Sequence, residues 1–106
     1  MAGFRLLRRA RADLLDIAAF TAERWGQEQA ERYVTQLYEG FRRLVDFPAL
    51  RRPYPPLPPY FRSLAGRHAI FYRVADDAEI VIVRVLHASM LPELHLVDAG
   101  DDPGED

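Results

Sequence analysis

The sequence contains no cysteine, so it offers no disulfide bond and no thiolate for catalysis or metal binding. It also contains no lysine, and all fourteen basic residues are arginines, which keep their charge at any working pH and form planar, forked hydrogen bonds. No apolar run approaches the ~20 residues that a membrane helix needs. The N-terminal segment MAGFRLLRRARADLL lacks the apolar stretch of a signal peptide. These absences suit a cytoplasmic protein without a membrane partner.

The motifs of most standard enzyme classes are also missing. The glycines do not have the spacing of a phosphate-binding loop, and no nucleophile elbow is present. The three histidines, His68, His87 and His95, do not stand with carboxylates at metal-ligand spacing. The sequence therefore predicts no cofactor and no metal, and it assigns no catalytic residue.

The charge is distributed unevenly along the chain. The formal net charge is −2, but residues 98–106 hold five of the sixteen acidic residues, which leaves the rest of the chain at about +3. We interpret 98–106 as a disordered acidic tail that follows a single domain of residues 1–97. The cationic body is compatible with solvated helix faces or with an anionic partner.

Two amphipathic helices are predicted in the first half, after a short strand at residues 3–8. Residues 10–25 and 27–46 each carry apolar residues at three- and four-residue steps. Gly26 separates the helices and Pro48 ends the second, so we expect an antiparallel helical hairpin. The apolar stripes consist of Leu14, Ile17, Ala18, Thr21 and Trp25 in the first helix, and of Ala30, Tyr33, Val34, Leu37, Phe41 and Leu44 in the second.

The second half predicts strands after a proline-rich connector. Residues 48–59 hold six of the eight prolines and cannot form the interior of a sheet. Residues 60–65, 67–75 and 79–87 have strand composition, and the last two should form a hairpin. Residues 79–87 are apolar on both faces and should be central. The whole order, β-α-α-β-β-β, predicts an α+β domain with the helical hairpin packed on a mostly antiparallel four-stranded sheet.

Arg84 lies in an apolar strand, where its charge must reach solvent or find a partner. Two interpretations are open: a surface that grips nucleic acid or an acidic protein, or a structural arginine bonded to the connector or to an acid on a helix. Strict alternation predicts Ile80, Ile82, Arg84 and Leu86 on one face, and Val81, Val83, Val85 and His87 on the other.

A metal-free ribonuclease would need a base, an acid and cations. His68, His87 and nearby arginines have that chemistry, but the sequence does not show that they converge. Tyr33 and Tyr72 are interpreted as core residues rather than as catalytic ones.

Two segments resemble the ParE toxins of the RelE/ParE superfamily, and the resemblance as a whole extends over residues 4–96. The first is RARADLLDIAAFTAERWGQEQAERYVTQLYEGFRRLVDFP, an acidic-apolar helix, a WG break and a second helix that ends at FP. The second is FRSLAGRHAIFYRVADDAEIVIVRVLHASMLPELHL, which carries the closing strands IFYR and VRVLH and a following PELHL segment. Their order and spacing together are specific, although no single motif is decisive.

The resemblance implies the fold described above and a toxin encoded with a ParD-like antitoxin, which wraps an amphipathic segment over it. It implies DNA gyrase as the target, inhibited without a known catalytic residue. RelE relatives instead cut messenger RNA on the ribosome with lysines, arginines and a late tyrosine or histidine. This chain has no lysine and no tyrosine after Tyr72.

The segment after VRVLH departs from the family pattern. Relatives commonly show a glycine-arginine pair and an acid before the proline, where this chain has Ala88, Ser89, Met90 and Leu91; Leu94 stands where a basic residue is common. Three hypotheses remain: a gyrase-binding toxin, a ribosome-dependent endoribonuclease using His68 and His87, and a weakened toxin that acts through antitoxin binding and operon autoregulation.

For the first hypothesis, the candidate target-binding residues are Arg67, Arg84, His87, Met90 and His95. Phe20 and Tyr38 lie off the main helical stripes, which makes them candidates for a groove that binds the antitoxin. We expect no direct contact with nucleic acid except through the antitoxin complex.

Overall fold

The computed structural model describes residues 3–96, in which a helical hairpin packs on one face of a four-stranded mixed sheet. The predicted α+β class is confirmed. The acidic segment 98–106, together with residue 97, lies outside the described residues. The elements are β1 (Phe4–Leu6), α1 (Arg8–Trp25), α2 (Gln27–Asp46), a 3₁₀ turn (Pro48–Leu50), β2 (Phe61–Ala65), β3 (His68–Val74), β4 (Ile80–His87) and α3 (Glu93–Leu96).

The sheet has the strand order β1-β4-β3-β2, so β4 and β3 are its central strands. β4 pairs antiparallel with β3 and parallel with β1, and β2 pairs antiparallel with β3. The β-branched run from Ile80 to Val83 is completely buried. A strand that is apolar on both faces must be covered on both, and this explains why β4 lies at the centre.

The helical hairpin covers one face of the sheet through the predicted stripes. Leu14, Ile17, Leu37, Phe41 and Leu44 are buried against the sheet residues Ile70, Tyr72, Ile80, Ile82 and Val85. Gly26 joins the helices with a φ of +98°, which L side chains rarely adopt. Its N–H donates to the Ala22 carbonyl and its own carbonyl accepts from the Ala30 N–H, so one residue ends α1 and begins α2.

Trp25 is an exception within the first stripe. Its side chain is 67% exposed, although Leu14 and Ile17 of the same stripe are buried. Trp25 is the last residue of α1, where the hairpin reverses. Helical periodicity identifies a face, but it does not show how far along the helix another layer covers that face.

The proline-rich connector covers the opposite face of the sheet. Tyr54, Leu57 and Tyr60 pack against a second buried cluster, and Pro53 forms an isolated bridge with Phe61 at the sheet edge. Proline is tolerated there because an edge strand need not donate on its outer side. The cluster consists of Leu7, Ala69, Phe71, Val81, Val83, Leu86 and Leu96.

A β-bulge in β4 changes which residues face the helices. Tyr72 pairs with Ile82, but its neighbour Phe71 pairs with Arg84, so Val83 is an additional residue in β4. Val85 consequently joins the helix-side core, and Leu86 joins the cluster under the connector. The faces predicted from strict alternation are therefore wrong beyond Val83.

Candidate functional site

An open cleft of about 980 Å³ lies between the hairpin turn and the adjacent ends of β3 and β4. Aromatic side chains from both helices line it, and so do charged groups of both signs. Arg24 lies 5.3 Å above the Phe20 ring, and Arg32 lies 3.6 Å from the Glu28 carboxylate. The lining residues are Asp16, Ile17, Phe20, Thr21, Arg24, Trp25, Glu28, Gln29, Arg32, Tyr33, Gln36, Gly66, Arg67, His68 and His87.

Tyr33 connects α2 to the turn between β2 and β3. Its hydroxyl accepts from the Arg67 N–H at 3.0 Å and lies 2.6 Å from His68 Nδ1. Gly66 makes this approach possible, since it has a φ of +59° and a Cβ there would lie 2.7 Å from the Tyr33 ring. Tyr33 therefore packs partly against the core, as the sequence suggested, but its polar end belongs to the cleft.

His68 is partly buried, and its pKa is lowered from the ordinary value of 6.5. Burial is the largest cause, because it disfavours the charged ring; the neighbouring His87 acts in the same direction, and Asp13 opposes both. A neutral His68 accepts the Tyr33 hydroxyl proton at Nδ1 and carries its own proton at Nε2.

His87 lies directly opposite His68 in the β3–β4 ladder, with ring centroids 5.5 Å apart in an edge-on arrangement. The Ser89 N–H donates to His87 Nδ1 at 3.1 Å, and the Ser89 hydroxyl lies 2.8 Å from the same nitrogen. A neutral His87 with this bond carries its proton at Nε2. Tyr33, His68 and His87 thus converge in one cleft, which the sequence did not show.

Arg84 is bonded to an acid on a helix, one of the two interpretations left open by the sequence. Its Nε and Nη2 donate to both carboxylate oxygens of Asp13 at 2.7 and 2.9 Å, and these side chains are 14% and 13% exposed. The bonds to Asp13 raise the pKa of Arg84. That Arg84 contacts the target remains a prediction. In the structure its guanidinium is already hydrogen-bonded within the protein.

The sequence analysis did not identify Asp13 as the partner of Arg84, although its position in α1 indicates that it faces the sheet. It lies three residues after Ala10 and four before Ile17, both buried, so it shares the sheet-facing side of α1. Its carboxylate also accepts from the Val85 N–H at 2.9 Å. An acid at such a position requires partners.

The segment after β4 carries the remaining predicted target-binding residues. Met90 is 46% exposed, beside Leu91 at 62% and Leu94 at 73%. The His95 carbonyl accepts from Arg84 Nη1 at 3.2 Å. The five predicted residues thus divide into three groups: Arg67 and His87 line the cleft, Arg84 bonds to Asp13 and to the His95 carbonyl, and Met90 lies on the surface.

The two candidate antitoxin-binding residues lie in different places. Phe20 lines the cleft and is 58% exposed. Tyr38 is 39% exposed, packs against the rings of Phe4 and Phe41, and does not line the cleft. The structure does not bring them into one groove, and a role in antitoxin binding remains a prediction for both.

Within residues 3–96, no group of three or more histidine, cysteine or acidic side chains is placed to hold a metal ion. In the same range, every helix is too short or too polar to cross a membrane.

Comparisons with known proteins agree on one family. The family model described as "ParE toxin of type II toxin-antitoxin system, parDE" matches residues 4–92. Toxin ParE1 of Caulobacter vibrioides is 41% identical over 97 residues, covering 91% of this chain and 99% of that relative. Toxin ParE1 of Mycobacterium tuberculosis is 40% identical over 82 residues, covering 76% and 84%. The fold is similar to a chain of the structure titled "Chromosomal ParDE TA system from P. aeruginosa", with a TM-score of 0.72, 23% identity, and coverage of 82% of this chain and 96% of that chain.

Proposed function

The chain belongs to the ParE toxin family of type II toxin–antitoxin systems, and from that premise we propose that it acts in the cytoplasm by binding DNA gyrase and is neutralised by a ParD-like antitoxin. The observation that carries the binding mode is the surface of residues 88–96, where Met90, Leu91 and Leu94 are exposed within five positions. Grouped apolar side chains of this kind favour contact with a protein surface.

The cleft supports the antitoxin part of the proposal. An amphipathic helix binds through apolar anchors at helical spacing and presents charges at its rim. The cleft offers the exposed rings of Phe20 and Trp25 beside arginines and carboxylates, which can receive both kinds of side chain. Of the candidate target-binding residues, Arg67 and His87 also line this cleft, whereas Met90 lies on the separate surface of residues 88–96.

The decisive experiment titrates the purified toxin into a gyrase supercoiling reaction, with messenger RNA cleavage on ribosomes measured in parallel. We expect loss of supercoiling with intact messages, and recovery when the antitoxin is added. The triple variant Met90→Ser, Leu91→Ser, Leu94→Ser should inhibit gyrase less while retaining antitoxin binding. Normal supercoiling by the wild type would refute the gyrase proposal.

A second candidate function rests on the convergence of Tyr33, His68 and His87 beside Arg67. Two histidines and a cation are the groups that metal-free RNA cleavage requires for proton transfer and phosphate stabilisation. In that case messages would be cleaved, and Tyr33→Phe or His87→Ala would abolish cleavage while leaving the fold intact.

The third hypothesis, a weakened toxin, predicts neither loss of supercoiling nor cleavage of messenger RNA. Expression would leave growth unchanged, while the chain would still bind its antitoxin and alter repression of the operon.

A further inference from the structure

Arg84 extends from the bulged part of β4 and contacts two other elements of the domain. Its Nε and Nη2 bind the Asp13 carboxylate in α1, and its Nη1 binds the His95 carbonyl in α3. Asp13 in turn accepts from the backbone N–H of Val85, next to the bulge. One guanidinium therefore joins the central strand, the first helix and the segment that follows the sheet.

The geometry of this contact depends on arginine at position 84. Only a planar, forked guanidinium can bind both oxygens of one carboxylate and still present a third N–H to a carbonyl. Both side chains are largely removed from solvent, at 14% and 13% exposure. Removing either partner would leave an uncompensated charge in a poorly solvated place.

The exposed segment after β4 is held near both of its ends. The Ala88 N–H donates to the Arg67 carbonyl at 2.9 Å, and near the other end the His95 carbonyl meets Arg84 while Leu96 is buried in the cluster under the connector. Met90, Leu91 and Leu94 stand exposed between these attachments. Loss of the Arg84 contact would weaken the second attachment and broaden the positions of the three side chains.

We infer that Asp13 and Arg84 form a positioning pair, which holds residues 88–96 in the arrangement that the target recognises, and that Arg84 does not itself contact the target. The inference rests on the proposed use of this segment in gyrase binding. It assigns Asp13 a part in toxicity through Arg84, at a distance from the recognised surface.

The test is a double-mutant cycle with Arg84→Lys, Asp13→Asn and the double variant. Amide exchange of His95 and Leu96 should accelerate about tenfold in each, as the loss of one charge-assisted hydrogen bond implies, while exchange at Ile70 and Ile82 stays unchanged. The half-inhibitory concentration against gyrase should rise about threefold or more, because apparent affinity follows the fraction of correctly positioned segment. The double variant should be no worse than either single variant, since all three break the same pair.

Other results would overturn the inference. If Arg84 contacts the target directly, Asp13→Asn frees the guanidinium and inhibition is unchanged or stronger, while Arg84→Lys alone is weaker. Unchanged exchange at His95 and Leu96 also overturns it. Leu96→Ala loosens the same segment without touching the pair; faster exchange with full inhibition in that variant would show that positioning does not matter.

These outcomes remain distinct from failure of the proposed function. If the wild-type protein leaves supercoiling intact, the gyrase proposal fails. The role of the Asp13–Arg84 pair is then decided by amide exchange and by growth arrest when each variant is expressed. Antitoxin affinity, which should change less than about threefold because neither Asp13 nor Arg84 lines the cleft, reports whether each variant is folded.

Discussion

Replacing Gly66 with alanine tests how the cleft is built. Gly66 has a φ of +59°, and a Cβ there would lie 2.7 Å from both the hydroxyl and a ring carbon of Tyr33. The left-handed backbone costs alanine about 1 kcal/mol. The Tyr33 ring must also move, which breaks its contacts with His68 Nδ1 and the Arg67 N–H. At about 1 kcal/mol for each hydrogen bond, the free energy of unfolding should fall by about 2–4 kcal/mol.

Urea denaturation measures this loss, and three variants separate its parts. Gly3→Ala, where a Cβ meets nothing within 4 Å, should change stability by less than about 0.5 kcal/mol. Tyr33→Phe removes the hydrogen bonds of the hydroxyl while keeping the ring, and it should cost about 1–2 kcal/mol. The double variant Gly66→Ala, Tyr33→Phe should cost less than the sum of the single variants, because both lose the same bonds.

The pKa of His68 reports the displacement of Tyr33 independently of the denaturation assay. Its pKa is held low mainly by burial, so displacement of Tyr33 should let it rise toward 6.5, as measured by NMR titration. A loss below about 1 kcal/mol in Gly66→Ala, or full additivity with Tyr33→Phe, would refute the reasoning, since Tyr33 would then not depend on the glycine.

Three further predictions follow from burial and charge. Leu37→Ala, at a completely buried position, should lower the free energy of unfolding by about 2–5 kcal/mol, whereas Leu15→Ala, at 68% exposure, should have little effect in the same denaturation assay. The lowered pKa of His68 means that the unfolded chain binds more protons than the folded one, so the free energy of unfolding should fall as the pH drops below 6.5. Above that pH this group should have no effect. His68→Gln should therefore reduce the dependence of stability on pH in melts between about pH 5 and 8. Phe20→Asp should weaken the antitoxin complex in calorimetry while the domain stays folded, and unchanged affinity would remove Phe20 from that interface; Tyr38→Asp tests the second candidate in the same way.

The order of the elements could be predicted from the sequence because each depends on local chemistry. Helical spacing in residues 10–25 and 27–46, with Gly26 between them, is sufficient for the hairpin. The absence of polar residues from Ile80 to Val83 requires cover on both faces, which places β4 in the centre. The proline-rich connector could also be predicted, because prolines exclude a sheet interior there. The sequence did not show that the tyrosines of the connector cover the face of the sheet opposite the helices.

The candidate site could not be predicted, because it depends on strand register. Continuing the pairing of Val74 with Ile80 without interruption would place Leu86 opposite His68. The bulge at Val83 advances β4 by one residue and places His87 there instead. A single additional residue thus creates the histidine pair, and periodicity within one strand contains no information about it.

The α+β class, the hairpin, the central strand and the resemblance to ParE toxins could be predicted from the amino-acid sequence alone, since these follow from residue patterns along the chain. The partners of the polar residues depend on the folded chain. Asp13 and Arg84 lie 71 positions apart, and Tyr33 and His68 lie 35 apart. A buried charge or hydroxyl requires a partner, but which one it finds depends on how distant segments pack, and only the folded chain defines that.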